Sequence, residues 1–133
     1  ILIEQKEAQV IFRHKNPIYV WADEFKVEQV VRNYVNNALN HVDGEKVIEI
    51  KITQENDMAK ITVFNTGTPI PEEDLPHIWE KFYKVDKART REYGGNGIGL
   101  SIVKAIMDSY GKEYGVANVE GGVEFWFDLD AKA

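Results

Sequence analysis

Between residues 24 and 42 the apolar positions Val27, Val30, Val31, Tyr34, Val35, Ala38 and Leu39 recur at spacings of three and four. That period puts one buried stripe on a helix. Asp23 supplies its N-cap, and Asp43-Gly44 ends it. At Val47 the period changes to two. Ile48, Ile50 and Ile52 alternate with Glu49, Lys51 and Thr53, Glu55-Asn56-Asp57 reads as a turn, and 59–64 returns as the second strand of a hairpin. Near the end of the chain Val123, Phe125, Phe127 and Leu129 alternate with Glu124, Trp126 and Asp128. Residues 112–119 are the expected partner of this last strand, with Glu120-Gly121-Gly122 between them. Gln9–Phe12 and Ile18–Trp21 read as short strands on either side of a turn-like His14-Lys15-Asn16-Pro17. Alternation of this kind describes a sheet with one packed and one wet face. Helical segments over about 24–42, 72–83 and 98–110 are available to cover the packed face. The expectation is an α+β, two-layer sandwich: a mixed sheet with three helices on one face.

Composition narrows the chemistry. At 133 residues and 44% hydrophobic, the chain is expected to form one domain, 1–133, with a core of its own. Its 16 Lys+Arg against 22 Asp+Glu give a formal charge of −6, which argues against nucleic acid or an anionic membrane as the main partner. The absence of cysteine removes disulfides, thiolate nucleophiles and cysteine-based zinc sites. No apolar run reaches the length of a membrane span. A start at Ile1 and a nondescript Ala131-Lys132-Ala133 suggest a fragment of a longer protein.

Two stretches carry candidate chemistry. Gly94-Gly95-Asn96-Gly97-Ile98-Gly99-Leu100 runs into the helical segment at 98–110. Glycines at a helix start let backbone approach a phosphate and leave first-turn N–H groups pointing at it. It is not a P-loop, because Gly99 is followed by Leu100-Ser101 rather than a lysine and a hydroxyl. It is not a dinucleotide fingerprint either, since the spacing is Gly95-x-Gly97-x-Gly99 and the preceding residues are charged. Taken alone, the run reads equally as a surface loop before a helix. The second stretch lies on the first helix, where Asn33, Asn37 and Asn40-His41 form a polar stripe beside the apolar one. Asparagine is a poor helix-interior residue because its amide competes for backbone hydrogen bonds. Asparagines at 33, 36, 37 and 40 therefore work against local propensity, and such conflicts point to function. An amide oxygen is a suitable single protein ligand for Mg²⁺, which keeps waters and takes phosphate oxygens.

The order of these motifs is what identifies them. An asparagine helix is followed by Asn65-Thr66-Gly67-Thr68-Pro69-Ile70-Pro71, then His77-Ile-Trp-Glu-Lys-Phe-Tyr83, then Gly95-Asn-Gly-Ile-Gly-Leu100. From about Pro17 to Leu129 the chain resembles the catalytic and ATP-binding domain of bacterial sensor histidine kinases. That superfamily is shared with gyrase and the heat-shock chaperone ATPases, and its fold is the Bergerat ATP-binding fold. The wording of Trp21-Ala-Asp-Glu, Phe64-Asn-Thr-Gly and Gly122-Val-Glu-Phe-Trp-Phe127 looks most like kinases of Gram-positive bacteria, among them relatives of the vancomycin-resistance sensor. The resemblance implies ATP and Mg²⁺ as cofactors. It implies that Asn37 binds Mg²⁺, with Asn33 as its upstream partner, and that Asn65 stands where an adenine-recognising aspartate is usual. It implies that Gly67 and Ile70 belong to the adenine loop, that Phe82 belongs to the F-box, and that Gly95, Gly97, Gly99 and Leu100 line the phosphates. Residues 84–96 match a lid over the triphosphate, expected to be mobile without nucleotide, and Arg89 matches a phosphate-reaching arginine. Lys84, Lys87 and Arg91 are further lid cations. The chain departs from the pattern at Asn65, which keeps an acceptor but no charge, and at Pro69, where a second glycine is usual. It departs again at Asn40, where a lysine is common, and at His41, where a tyrosine is common.

Relatives that hydrolyse ATP carry a glutamate at the position of Asn33, and an amide cannot act as a general base. The resemblance therefore implies transfer of the γ-phosphoryl group to a histidine on a separate dimerisation domain, by positioning and charge neutralisation. None of His14, His41 and His77 suits the phosphoacceptor role, so no catalytic residue is assigned within the chain. The implied partners are the parent's dimerisation domain and, through the whole kinase, a response regulator. The implied setting is the cytoplasmic side of a membrane-anchored parent, and the isolated domain is expected to be monomeric. Part of the stripe Ile78, Trp79, Phe82 and Tyr83 is expected to dock on the dimerisation helices, with Trp79 or Tyr83 as the probe. A serine kinase of the anti-sigma type and a nucleotide-binding module without activity are the alternatives.

Overall fold

The computed structural model describes residues 9–13, 17–83 and 98–132. Expectations for His14, for the lid with Lys84, Lys87, Arg89 and Arg91, and for Gly95 and Gly97 lie outside the described residues. In chain order the elements are β1 (Gln9–Arg13), α1 (Glu24–His41), β2 (Val47–Glu55), β3 (Met58–Thr66), α2 (Gly99–Tyr110), β4 (Tyr114–Val119) and β5 (Gly122–Asp130). The strands form one mixed sheet in the order β1-β2-β3-β5-β4. β1 runs parallel to β2, and the other neighbours are antiparallel. A parallel pair needs a crossover, and α1 lies in the connection that provides it.

Local chemistry explains each boundary. The Asp23 carboxylate accepts from the N–H groups of Phe25 (2.9 Å) and Lys26 (3.0 Å), so α1 starts where the expected cap stands. Val30, Tyr34, Ala38 and Leu39 are buried on one face of that helix. α2 buries Val103 and Met107 and stops at Gly111, whose φ of 66° is left-handed. The β2–β3 hairpin turns at Asn56 (φ 59°) and the β4–β5 hairpin at Gly121 (φ 84°). β2 and β5 each run slightly further than the alternation predicts. The inner face of the sheet, with Ile48, Val63, Phe125, Phe127 and Leu129, meets both helices in one core. Fully burying a side chain of this size is worth about 1.5–3 kcal/mol, so this layer contact carries the fold.

Two sequence expectations are corrected. The described residues hold two α-helices rather than three, because 72–83 forms only a single 3-10 turn, Leu75–His77, within a run of tight turns. The backbone bonds there all reach back three residues: Asp74 to Pro71, Leu75 to Glu72, His77 to Asp74, Glu80 to His77 and Tyr83 to Glu80. Pro76 has no N–H for a helical bond to Glu72, and its ring crowds that carbonyl. Phe82 at φ 65° then ends the run. The second correction concerns Ile18–Trp21, which makes one bridge, Val20 to Ala131, and no strand. It meets the sheet only where β5 has already ended at Asp130, so few backbone partners remain. Tyr19, Trp21 and Phe25 are left exposed there, with Lys132 Nζ 4.3 Å above the Trp21 ring. Among the described residues no helix is long and apolar enough to cross a membrane.

Candidate functional site

At one end of the sheet, three elements converge on the last residues of β3. Asn65 is buried on the inner face, in a rung that reads Ile48, Asn65, Val123, Asn118 across β2, β3, β5 and β4. Its Nδ2 donates to the Thr66 carbonyl (3.1 Å), while its Oδ1 is buried and has no hydrogen-bond partner among the described residues. The donor is spent inside the fold, and the atom left over is an acceptor. Leaving such an atom unpaired costs about 1–3 kcal/mol, which marks the spot as unusual.

The neighbours of Asn65 are held by backbone. Thr66 Oγ1 donates to Asp43 O (2.7 Å) and accepts from Val47 N–H (3.0 Å), while Asp43 N–H donates to Thr66 O (2.9 Å). Gly67 N–H donates to Gly121 O (3.2 Å). Its φ of 147° suits glycine alone, and a Cβ there would lie 2.8 Å from the His41 carbonyl. Gly122 is tighter still, since a Cβ would lie 1.9 Å from the Asn65 carbonyl. Ile70 packs on the core, with its backbone bonded both ways to the Asn118 side chain. Of the expected residues, Asn65, Gly67 and His41 are thus brought together, and Ile70 is held by Asn118.

A second cluster forms about two turns up α1. Gly99, the first residue of α2, faces Asn33, with Asn33 Oδ1 3.4 Å from where a Cβ of Gly99 would stand. Asn33 Nδ2 is buried without a partner among the described residues. The residue before Gly99 is Ile98, which has no side-chain oxygen to cap the helix. Asn33, Asn37 and His41 stand four apart on α1, so one helix face spans the two clusters, about 12 Å along its axis. Asn37 and Asn40 are half-buried on that helix, and Leu100 is half-buried on α2.

Two orphan amide atoms, at Asn65 and Asn33, and three glycines whose Cβ positions are filled or tight, Gly67, Gly122 and Gly99, thus mark two clusters along α1. The unpaired acceptor at Asn65 matches a donor such as an exocyclic amine, and the glycine-lined helix start suits an anion. The residues present therefore fit a nucleotide, and Asn37 lies between the two ends where a metal-bound phosphate would pass. Among the described residues no group of three or more His, Cys, Asp or Glu stands together as a metal site.

Elsewhere the titratable groups look structural. Burial pushes the Tyr34 hydroxyl up, and it donates to Trp126 O (3.0 Å) from the middle of the core. The Asp74 carboxylate, hydrogen-bonded to Tyr83, raises that phenol. His77 pairs with Glu80 (2.7 Å) and stacks on Tyr83. The apolar stripe at 78–83 is divided: Ile78 is buried and Trp79 sits edge-on to Tyr114 and Phe125, but Phe82 is 68% exposed. Sequence reasoning passed over Gly122, Thr66 and Asn118. For Asn118, the penultimate residue of β4 beside a turn, the sequence carried no distinguishing signal.

Comparison with known proteins bears on this arrangement. Residues 22–133 match the family described as histidine kinase-, DNA gyrase B- and HSP90-like ATPase. The sensor histidine kinase WalK of Bacillus subtilis (strain 168) is 35% identical over 133 residues, covering 96% of this chain and 22% of WalK. The chain therefore spans less than a quarter of that relative's length. The nucleotide-free catalytic domain of histidine kinase ThkA superposes with a TM-score of 0.83 at 30% identity, covering 96% of this chain and 82% of ThkA's domain. ThkA has also been solved in complex with the response regulator TrrA, where the TM-score is 0.78 at 30% identity over 98% of this chain and 36% of that one. Full-length ShkA in complex with AMPPNP gives 0.82 at 25% identity, over 99% of this chain and 27% of ShkA.

Proposed function

This chain belongs to the histidine kinase-, DNA gyrase B- and HSP90-like ATPase family as a histidine kinase ATPase domain, and from that premise we propose that it binds MgATP and presents the γ-phosphoryl group to a histidine on a separate dimerisation domain. The observation that carries the reading is the buried Asn65 Oδ1, an acceptor with no partner among the described residues. The exocyclic amine of adenine donates to such an atom. Guanine presents a carbonyl at the same place, so the site favours ATP over GTP. Asparagine in place of an aspartate keeps the acceptor and gives up the charge, at a cost of roughly 1–2 kcal/mol in binding.

Each residue has a part in this reading. Asn65, Gly67, Ile70 and His41 take the base, and Asn33, Asn40, Gly99 and Leu100 border the triphosphate. The same role is assigned to Gly95, Gly97 and Arg89 by the resemblance alone, since they lie outside the described residues. Asn37 would supply an amide oxygen to Mg²⁺, which neutralises phosphate charge when bound. Asn33 cannot take a proton from water, so α1 offers no general base there, and the chain's contribution is positioning.

The acceptor histidine lies on another domain of the parent. Part of the stripe Ile78, Trp79, Phe82 and Tyr83 docks on that domain, with Trp79 and Tyr83 as the probes; Phe82 is exposed, and Trp79 and Tyr83 are half-buried. The parent is a membrane-anchored sensor whose domain 1–133 faces the cytoplasm, is monomeric alone and serves a response regulator. The ThkA–TrrA complex supports that last point. The wording around Trp21, Phe64 and Gly122 favours a Gram-positive parent, of the branch that includes vancomycin-resistance sensors. Calorimetry of the chain with MgATP tests the reading, and no binding at millimolar nucleotide overturns it. Mixing with a separate dimerisation domain and labelled ATP should yield an acid-labile phosphoprotein; an acid-stable product would identify a serine kinase instead.

A further inference from the structure

The loop after β3 is fastened at three places. Asp43 N–H holds Thr66 O, Gly121 O holds Gly67 N–H, and Asn118 holds Ile70. Two of these are backbone to backbone and use no side-chain atom. The third depends on one amide. Asn118 Oδ1 accepts from Ile70 N–H (2.9 Å), and its Nδ2 donates to Ile70 O (2.8 Å). The side chain thus bonds to Ile70 as a neighbouring strand would, with one donor and one acceptor in register.

Its position is specific. Asn118 lies on β4, at the edge of the sheet, opposite Val123, and Val123 lies opposite Asn65. Asn65 and Asn118 therefore share one rung and one face, two strand spacings apart, about 10 Å. Asn65 presents the unpaired acceptor on that rung, while Asn118 fixes the backbone of Ile70 at its other end. A β-branched residue would suit the strand better at this position. The local cost is offset only by what the amide does for the loop.

We propose that Asn118 is a positioning residue that holds Ile70 as the far wall of the base pocket, so that it sets both affinity for adenine and discrimination against guanine. This rests on the functional reading above. The physical step is a population shift. Without the two bonds Ile70 samples other positions, and apparent affinity falls by the fraction of time the wall is in place. Both bonds are solvent-exposed, so the expected loss is about tenfold rather than complete.

The test uses Asn118→Ala and the isosteric Asn118→Asp in the whole 133-residue chain, with calorimetry against MgATP and MgGTP and a thermal melt of each protein. Asn118→Asp keeps the shape but sets a carboxylate against the Ile70 carbonyl, so it should match or exceed the loss from alanine. The expected result is ATP affinity lower by about tenfold, a smaller ATP-over-GTP preference, and melting within a few degrees of wild type. A stability loss with the ATP-over-GTP ratio intact overturns the proposal in favour of a purely structural role, as does unfolding of both variants. Unchanged nucleotide binding in both variants overturns it outright, provided the wild-type chain binds ATP. If the wild-type chain binds neither nucleotide, the functional reading itself fails, and the proposal fails with it.

Discussion

The two clusters along α1, one at the proposed base end and one at the proposed phosphate end, are built differently. At the base end, Asn65 is enclosed on its own strand, Thr66 ties β3 to the start of β2, and Gly67 and Gly122 sit where no side chain fits. At the phosphate end the described structure offers a helix start capped by an apolar residue, one glycine and one unpaired amide. The first end is fixed by close backbone contact, so its shape is inseparable from the fold. The second is set by two helices whose near approach would tolerate a methyl group. In the proposed function, recognition of the base is therefore rigid and costly to alter, and phosphate handling sits where change is cheap for stability.

Substitutions at the glycines test that division directly. Gly122→Ala should have the largest effect, because its Cβ would fall 1.9 Å from the Asn65 carbonyl within a paired ladder. We expect a loss of about 3 kcal/mol or more, read as a large shift of the urea midpoint. Gly67→Ala should follow, at roughly 2 kcal/mol, from the 2.8 Å approach to His41 O and the backbone angle of 147°. Gly99→Ala should reverse the sign. Its Cβ meets Asn33 Oδ1 at an ordinary-to-tight 3.4 Å, and alanine gains up to about 1 kcal/mol in a helix. The variant should melt no lower than wild type yet bind MgATP more weakly. A Gly99→Ala protein as unstable as Gly67→Ala would break the comparison.

The smallest expected effect is a control on the outer face. Asp128 lies six residues along β5 from Gly122, with a buried Oδ1 that has no partner among the described residues. Burial raises its pKa, against the opposing pull of Lys60 and with a contribution from Glu113. An acid with a raised folded pKa binds its proton more tightly folded than unfolded. Its penalty is absent below the ordinary value of 3.8, grows as pH rises to the folded value, and is constant above. Asp128→Asn should therefore match wild type near pH 3, become the more stable protein as pH rises through that window, and leave MgATP affinity unchanged. Melting curves across pH with calorimetry at neutral pH check both halves.

The difference between the ends also explains what the sequence made legible. The stripe Val30, Tyr34, Ala38 and Leu39 was readable because burial repeats with the helical period. The alternating β2, β3 and β5 were readable for the same reason, and the order of the motifs pointed to the family. At 72–83 apolar content was read as a helix, although Pro76 withheld the needed N–H. At Ile18–Trp21 a four-residue apolar run reads as a strand, but it meets only the end of β5 and makes a single bridge. Asn65 was singled out for its motif, but the pairing of its donor with Thr66 depends on the fold of a turn. Gly122 was read as turn and proved to be the closest strand contact at the site, a distance set by β3 from far along the chain.

One bond seen at the edge of the fold has a mechanical reading. The Tyr110 hydroxyl, at the last residue of α2, accepts from the N–H of Asp23, the cap of α1 (2.9 Å). The other end of α2 is Gly99, against Asn33. Twelve residues of helix, about 18 Å, therefore lie against the same neighbour at both ends, with a hydrogen bond at one of them. One contact belongs to the Gly99–Asn33 cluster. The other stands beside Trp21 and Phe25, the exposed aromatic surface on the opposite flank. A displacement of 1 Å at Gly99 with the Tyr110 end held is a tilt of about 3°, which the core under Val103 and Met107 has to absorb.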